Sequence, residues 1–187
     1  EPMPSQPFDL KASIRNRSFM YLNLVEALRM MAVTAVVLHV MPYLATLGIT
    51  RTAAGFIAAL VPLTSNIGRF GFGWISDIFP KRYTLAATFA FMAAGMLAFC
   101  GVQRTWVLVL FLLLFPPGFG GTMVLRGAIL KEFFGREALG KMLGIVMGSA
   151  AVGGVIGPTL AGWVYDTTGD YRQIWLIYFV LLTGAFF

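Results

Sequence analysis

Apolar residues along the chain gather into long runs separated by short polar breaks. A helix needs roughly 20 residues to cross about 30 Å of hydrocarbon, and five runs meet that length: Phe19–Tyr43, Thr52–Ser76, Tyr83–Gly101, Trp106–Leu125 and Lys141–Val164. The sixth, Ile174–Phe187, has 14 residues, which at about 1.5 Å each reaches only about 21 Å; the chain is expected to end inside it. The breaks carry turn residues: Gly48, Pro80, Gly135 and the stretch from Asp166 to Asp170. Pro62 and Pro116-Pro117 lie within runs. In a membrane such prolines are tolerated where neighbouring helices or cavity water satisfy the freed carbonyls, and they bend helices around a pathway or simply kink them for packing. The pattern predicts an all-α membrane protein, a bundle of six transmembrane helices.

Composition supports that pattern and removes several function classes. Of 187 residues 58% are hydrophobic and 12% charged, and the mean hydropathy is +0.80. That is too little polar surface for a soluble enzyme, a disordered chain or a disulfide-stapled secreted domain. The net charge of +6 does not mark a nucleic-acid partner, because the basic residues sit mostly between the apolar runs, where they set topology. Lys11, Arg15, Arg17, Lys81, Arg82, Lys131, Arg136 and Lys141 fall on one side, and Arg51, Arg104 and Arg172 on the other. The richer side includes the N-terminus, which is therefore expected in the cytoplasm. Segment Glu1–Arg17 has no apolar core and so no cleavable signal peptide, and the single Cys100 rules out an intramolecular disulfide. One His, one Cys and no phosphate-binding glycine loop leave no catalytic constellation, no metal site and no implied cofactor.

Two motifs carry more specific information. Between the second and third runs stands Gly73-Trp74-Ile75-Ser76-Asp77-Ile78-Phe79-Pro80-Lys81-Arg82-Tyr83-Thr84-Leu85. A glycine there lets helices approach, the aspartate can cap a helix or pair with a cation, and two basic residues hold the turn at the cytoplasmic face. The fifth run holds Gly144, Gly148, Gly153, Gly157-Pro158 and Gly162 at four- or five-residue steps, expected to form one nearly continuous groove against another helix. The first motif resembles the signature loop of the major facilitator superfamily at Gly73, Asp77, Lys81, Arg82 and Leu85, departing from it at Ile78 and Pro80. The second is similar to that family's glycine–proline motif.

Further runs are similar to the second half of monocarboxylate-porter and oxalate/formate-exchanger relatives. They are Leu38 to Leu44, Gly68 to Trp74, and Gly157 to Asp166 continuing through Gly169-Asp170-Tyr171. The resemblance implies that residues 1–18 end a cytoplasmic central loop and that residues 19–187 are helices seven to twelve of a twelve-helix transporter. The implied partners are the lipid bilayer, a missing N-terminal six-helix bundle, a small organic anion and, as a coupling ion, the proton. A plasma or bacterial inner membrane location follows from the same resemblance. Two alternatives stand beside it: a self-contained six-helix protein that dimerises as a transporter or channel, and a membrane scaffold or enzyme without transport.

Ionisable residues at membrane depth are costly and usually face a cavity or one another. Glu26 lies seven residues after Phe19 and Arg69 seven before Ser76, each about 10 Å deep. The two are placed to pair across helices, or Glu26 can pair with Arg29 one turn along its own helix. The family resemblance implies that Arg69 engages a substrate carboxylate, with Glu26 as counter-charge or proton site. A guanidinium suits that task because it stays charged and forks two hydrogen bonds to a carboxylate. The fifth run offers no basic residue beyond Lys141, so a second cation for a dianion is missing there and a monocarboxylate is favoured. His39 is a candidate proton or substrate site by its intrinsic pKa, or a hydrogen-bonded helix-end residue. Arg126 is expected to be an interface anchor. Trp74, Trp106, Trp163 and Trp175 are expected to form an aromatic belt.

Overall fold

The computed structural model describes residues 14–185. Most of segment 1–18, expected to end a cytoplasmic loop, therefore lies outside the described residues, as do positions 186 and 187 of the expected sixth helix. Six helices follow one another and no strand occurs among the described residues. They are α1 (Arg17–Thr46), α2 (Arg51–Ile78), α3 (Lys81–Cys100), α4 (Thr105–Arg136), α5 (Ala138–Thr168) and α6 (Arg172–Gly184). Asn16 caps α1 by accepting from the Ser18 amide, and Thr50 caps α2 by accepting from the Ala53 amide. Pro80 precedes α3, where a missing N–H costs nothing. Gly169, at φ 72°, closes α5 in the left-handed conformation that glycine adopts freely.

The first five helices are long and apolar enough to cross a membrane. The fourth and fifth run farther than the apolar pattern predicts. Only Gly135 departs from helical geometry between Thr105 and Thr168, at φ 73° and ψ −179°, a conformation essentially reserved for glycine. Segment 126–134 contains no proline, so the helix has no reason to stop where the apolar run stops; α4 reaches 32 residues, about 48 Å. The helices likewise continue past Pro62, Pro116 and Pro117, each of which omits one backbone hydrogen bond.

Between helices in a membrane there is little hydrophobic driving force, and close packing of small residues takes its place. A methyl group built on Gly153 would lie 2.1 Å from the Ala27 carbonyl oxygen, and one on Gly157 2.1 Å from that of Met31. These two glycines seat α5 on α1. Gly144 and Gly148, expected in the same groove, are exposed and have nothing within 4 Å of such a methyl, and Gly162 meets only the His39 ring at 3.8 Å. The reason is helical arithmetic: nine residues at about 100° each turn through half a circle, so Gly144 and Gly162 both face away from Gly153. One continuous groove is therefore replaced by a single contact pair. A second small-residue seam lies elsewhere. Gly118, Gly120 and Gly121 follow the double proline of α4, which is clamped between α2, through Gly68 and Ser65, and α3, through Thr88 and Gly95. At Gly73 an added methyl would meet only Val124, at an ordinary 3.7 Å, so that glycine is not a point of close helix approach.

Aromatic residues close the end of the bundle opposite the start of α1. Tyr43, Phe99, Phe111, Tyr171 and Trp175 interlock, with ring centroids 4.9 Å apart for Tyr43–Phe99 and 4.2 Å for Phe99–Phe111. Trp175 is fully buried there and so belongs to the core rather than to a belt, while Trp74, Trp106 and Trp163 are exposed. The helices are not equally enclosed. In the most apolar stretch of α2 and of α5, 22% of residues are buried, against 44–56% in α1, α3 and α4. Apolar side chains such as Phe70 and Trp74 on α2, and Val155 and Trp163 on α5, point outward.

Candidate substrate-binding site

Two helices bring charge together inside the bundle. Glu26 sits on the face of α1 that packs into the bundle and is 4% exposed. One turn on, Arg29 is 1% exposed and grips both carboxylate oxygens, with Nε donating to Oε2 at 2.9 Å and Nη2 to Oε1. The third member is Arg126 of α4, whose Nη1 also donates to Glu26 Oε1. Its side chain is 13% exposed, the least enclosed of the three. The Phe119 ring lies under the Arg29 guanidinium, 5.7 Å from centroid to Cζ, a favourable placement for a desolvated cation.

The cluster is unbalanced. One carboxylate faces two guanidiniums, and two buried N–H groups, Arg29 Nη1 and Arg126 Nε, have no hydrogen-bond partner among the described residues. Buried polar groups are normally satisfied, and a buried cation more strictly so. A site holding a surplus positive charge and unused donors is suited to an anion.

Of the expected site residues, Glu26 and Arg29 meet as one of the two foreseen pairings. Arg69 does not reach Glu26. The buried residues of α2 include Ser65, Gly68 and Phe72, and Arg69, 100° round from Gly68, is exposed, its Nη2 donating only to Met123 Sδ at 3.5 Å. Met123 lies one turn before Arg126 on α4, so Arg69 stands beside the cluster without joining it. Arg126 is a member of the cluster instead of an interface anchor. His39 lies elsewhere, bridging α1 to the far end: its Nε2 is 3.1 Å from the Pro158 carbonyl and its Nδ1 3.0 Å from the Tyr171 hydroxyl. A carbonyl only accepts, so Nε2 carries the proton and Nδ1 accepts from Tyr171. Burial, then Tyr165 and Asp166 nearby, push the Tyr171 hydroxyl above its usual pKa, which keeps it a donor. Both histidine nitrogens are thus occupied. In the last turn of α2, Asp77 is exposed and makes no ion pair among the described residues. Lys81 pairs with Glu132 of α4 at 2.7 Å, and Arg82 stacks on Tyr83 at 4.6 Å.

The Major Facilitator Superfamily profile matches residues 22–187. The chain belongs to the Major Facilitator Superfamily. Facilitator-superfamily proteins are transporters, not enzymes, and this chain is a multi-pass membrane protein built on the same plan. It is 28% identical over 146 residues to monocarboxylate transporter 12 of Xenopus laevis, covering 74% of this chain and 31% of that protein. With monocarboxylate transporter 13 of Rattus norvegicus it shares 24% over 151 residues, covering 79% of this chain and 34% of that protein. The chain thus spans about a third of the length of these curated relatives. Its fold matches the fucose:proton symporter FucP of E. coli with a TM-score of 0.76 at 22% identity, over 95% of this chain and 44% of that one. The six helices are therefore one half of a facilitator fold.

Proposed function

We propose that these helices are the C-terminal bundle of a secondary active transporter that moves a small organic anion, a monocarboxylate by preference, by alternating access. The observation that carries this reading is the surplus of guanidinium over carboxylate at depth: Arg29, Arg69 and Arg126 against Glu26. Such charges are tolerated in a membrane when they serve a substrate path. Arg69 is the primary substrate residue. A thioether is a weak acceptor, so its guanidinium is free to fork onto a carboxylate. Glu26 is the counter-charge and, with the proton as coupling ion, the group that would titrate. The names of the relatives support a carboxylate cargo.

The uncovered faces of α2 and α5 are where an N-terminal six-helix bundle and lipid would lie, and segment 1–18 leads out of the loop joining the bundles. Gly73 and Asp77 at the end of α2 and Lys81 and Arg82 at the start of α3 flank the turn that serves as the cytoplasmic gate, in a plasma or bacterial inner membrane with the N-terminal side of α1 in the cytoplasm. Uptake of radiolabelled pyruvate, lactate and benzoate by the intact transporter carrying Arg69→Lys tests the reading. The expected result is a rise in KM of about tenfold or more, because an ammonium cannot reproduce the fork. Unchanged uptake across the series overturns it.

A further inference from the structure

We propose that Arg126 is a second anion-binding residue and that Glu26 holds its place: the carboxylate of the cargo takes over the contact with Arg126 that Glu26 Oε1 makes in this structure. This rests on the anion-transport reading above and adds to it a residue and an order of events.

The geometry points to Arg126 in three ways. Glu26 Oε1 is shared between Arg29 and Arg126, whereas Oε2 serves Arg29 alone. Losing Arg126 therefore leaves Glu26 with both oxygens still bonded, so the carboxylate can release that arginine without being stranded. Arg126 is also the least enclosed member, at 13% side-chain exposure against 6% for Glu26 and 1% for Arg29. Finally, its Nε–H is buried with no partner among the described residues. The observed position is thus incompletely satisfied, and a rotamer change toward an incoming carboxylate breaks one hydrogen bond while gaining the chance of two.

Arg69 supplies the direction of that move. It rests on Met123, one turn from Arg126 on the same side of α4. An anion caught by Arg69 comes within a turn of a second guanidinium whose internal partner already has another cation. Arg29, enclosed and stacked on Phe119, stays behind to hold Glu26. In this scheme Arg29 and Glu26 are positioning residues, and Arg69 and Arg126 touch the cargo.

A purely structural ion cluster and an exchanging one differ in the sign of a mutant's effect. The test measures the shift in melting temperature of the intact, detergent-solubilised transporter caused by acetate, pyruvate, benzoate and succinate. Three variants are compared with the unsubstituted protein: Arg126→Gln, Arg126→Lys and Glu26→Gln. Exchange predicts opposite effects. Arg126→Gln weakens anion binding by about tenfold or more, Arg126→Lys falls between, and Glu26→Gln, which removes the competitor, tightens it. If Glu26→Gln lowers the starting stability, the anion shift is expected to grow, since the anion supplies the missing counter-charge.

Two results would overturn the proposal. The first is Arg126→Gln binding as tightly as the unsubstituted protein while Arg69→Lys binds weakly; that leaves the transport reading standing. The second is Glu26→Gln and Arg126→Gln both weakening binding to the same extent. Absence of any anion-dependent shift in the unsubstituted protein overturns the anion-transport reading itself, and this proposal with it.

Discussion

The Glu26–Arg29–Arg126 cluster and the Lys81–Glu132 pair are made of the same chemistry and answer to different physics. Lys81 and Glu132 join α3 to α4 at the edge of the bundle, where both side chains keep water. Their attraction is screened, and holding two long side chains together offsets much of it. The inner cluster has lost its water, so each charge depends on its partners. At the edge an ion pair is a small addition to a fold that exists without it. Inside, removing one member exposes the cost of all the others, which is why an unbalanced inner cluster is evidence about function and the outer pair is not.

The largest effect is expected from Glu26→Ala, which leaves Arg29 and Arg126 buried with no counter-charge. Stability in detergent, followed by chemical unfolding, should fall by about 3–5 kcal/mol. A loss no larger than that of a surface substitution would erase the contrast. Replacing all three members with leucine sharpens it: stability should return to within about 2 kcal/mol of the unsubstituted protein, while anion binding, left to Arg69, stays weakened. A triple variant as unstable as Glu26→Ala would show that the cluster holds the fold together. The smallest change belongs to Lys81→Ala, expected to cost less than about 1 kcal/mol, with the difference shrinking further in high salt. A salt-independent loss larger than that would place the pair in a drier setting than its exposure indicates.

Much of this architecture was legible in the chain. Long apolar runs revealed the helices because a bilayer demands length and apolarity together, and the profile match and the FucP likeness agree with that reading. The pairing of Glu26 with Arg29 was also within reach, since residues three apart on a helix are neighbours. Arg126 was not placed correctly, for a specific reason: ending the fourth helix at Leu125 put its next residue at the interface. In the structure α4 runs on to Arg136, so Arg126 lies about 15 Å inside that end. The signal was present in the unbroken, proline-free segment 126–134. The glycines of α5 do not share one face because a step of four stays near a face while a step of five turns well away from it, and of the two steps of four only the pair Gly153 and Gly157 meets another helix. Which helix covers which face depends on rotation and on partners a hundred residues away, and no local pattern carries that.

A single residue, Gly135, leaves helical geometry near the joint between the helix that bears Arg126 and the helix seated on α1. A longer connection would absorb motion, as slack in a cable does. With one glycine as the joint between two long helices, the angle between them rests on a single pair of backbone torsions. The helix that carries Arg126 and the helix that forms the outer wall of the bundle thus share one pivot rather than a slack tether.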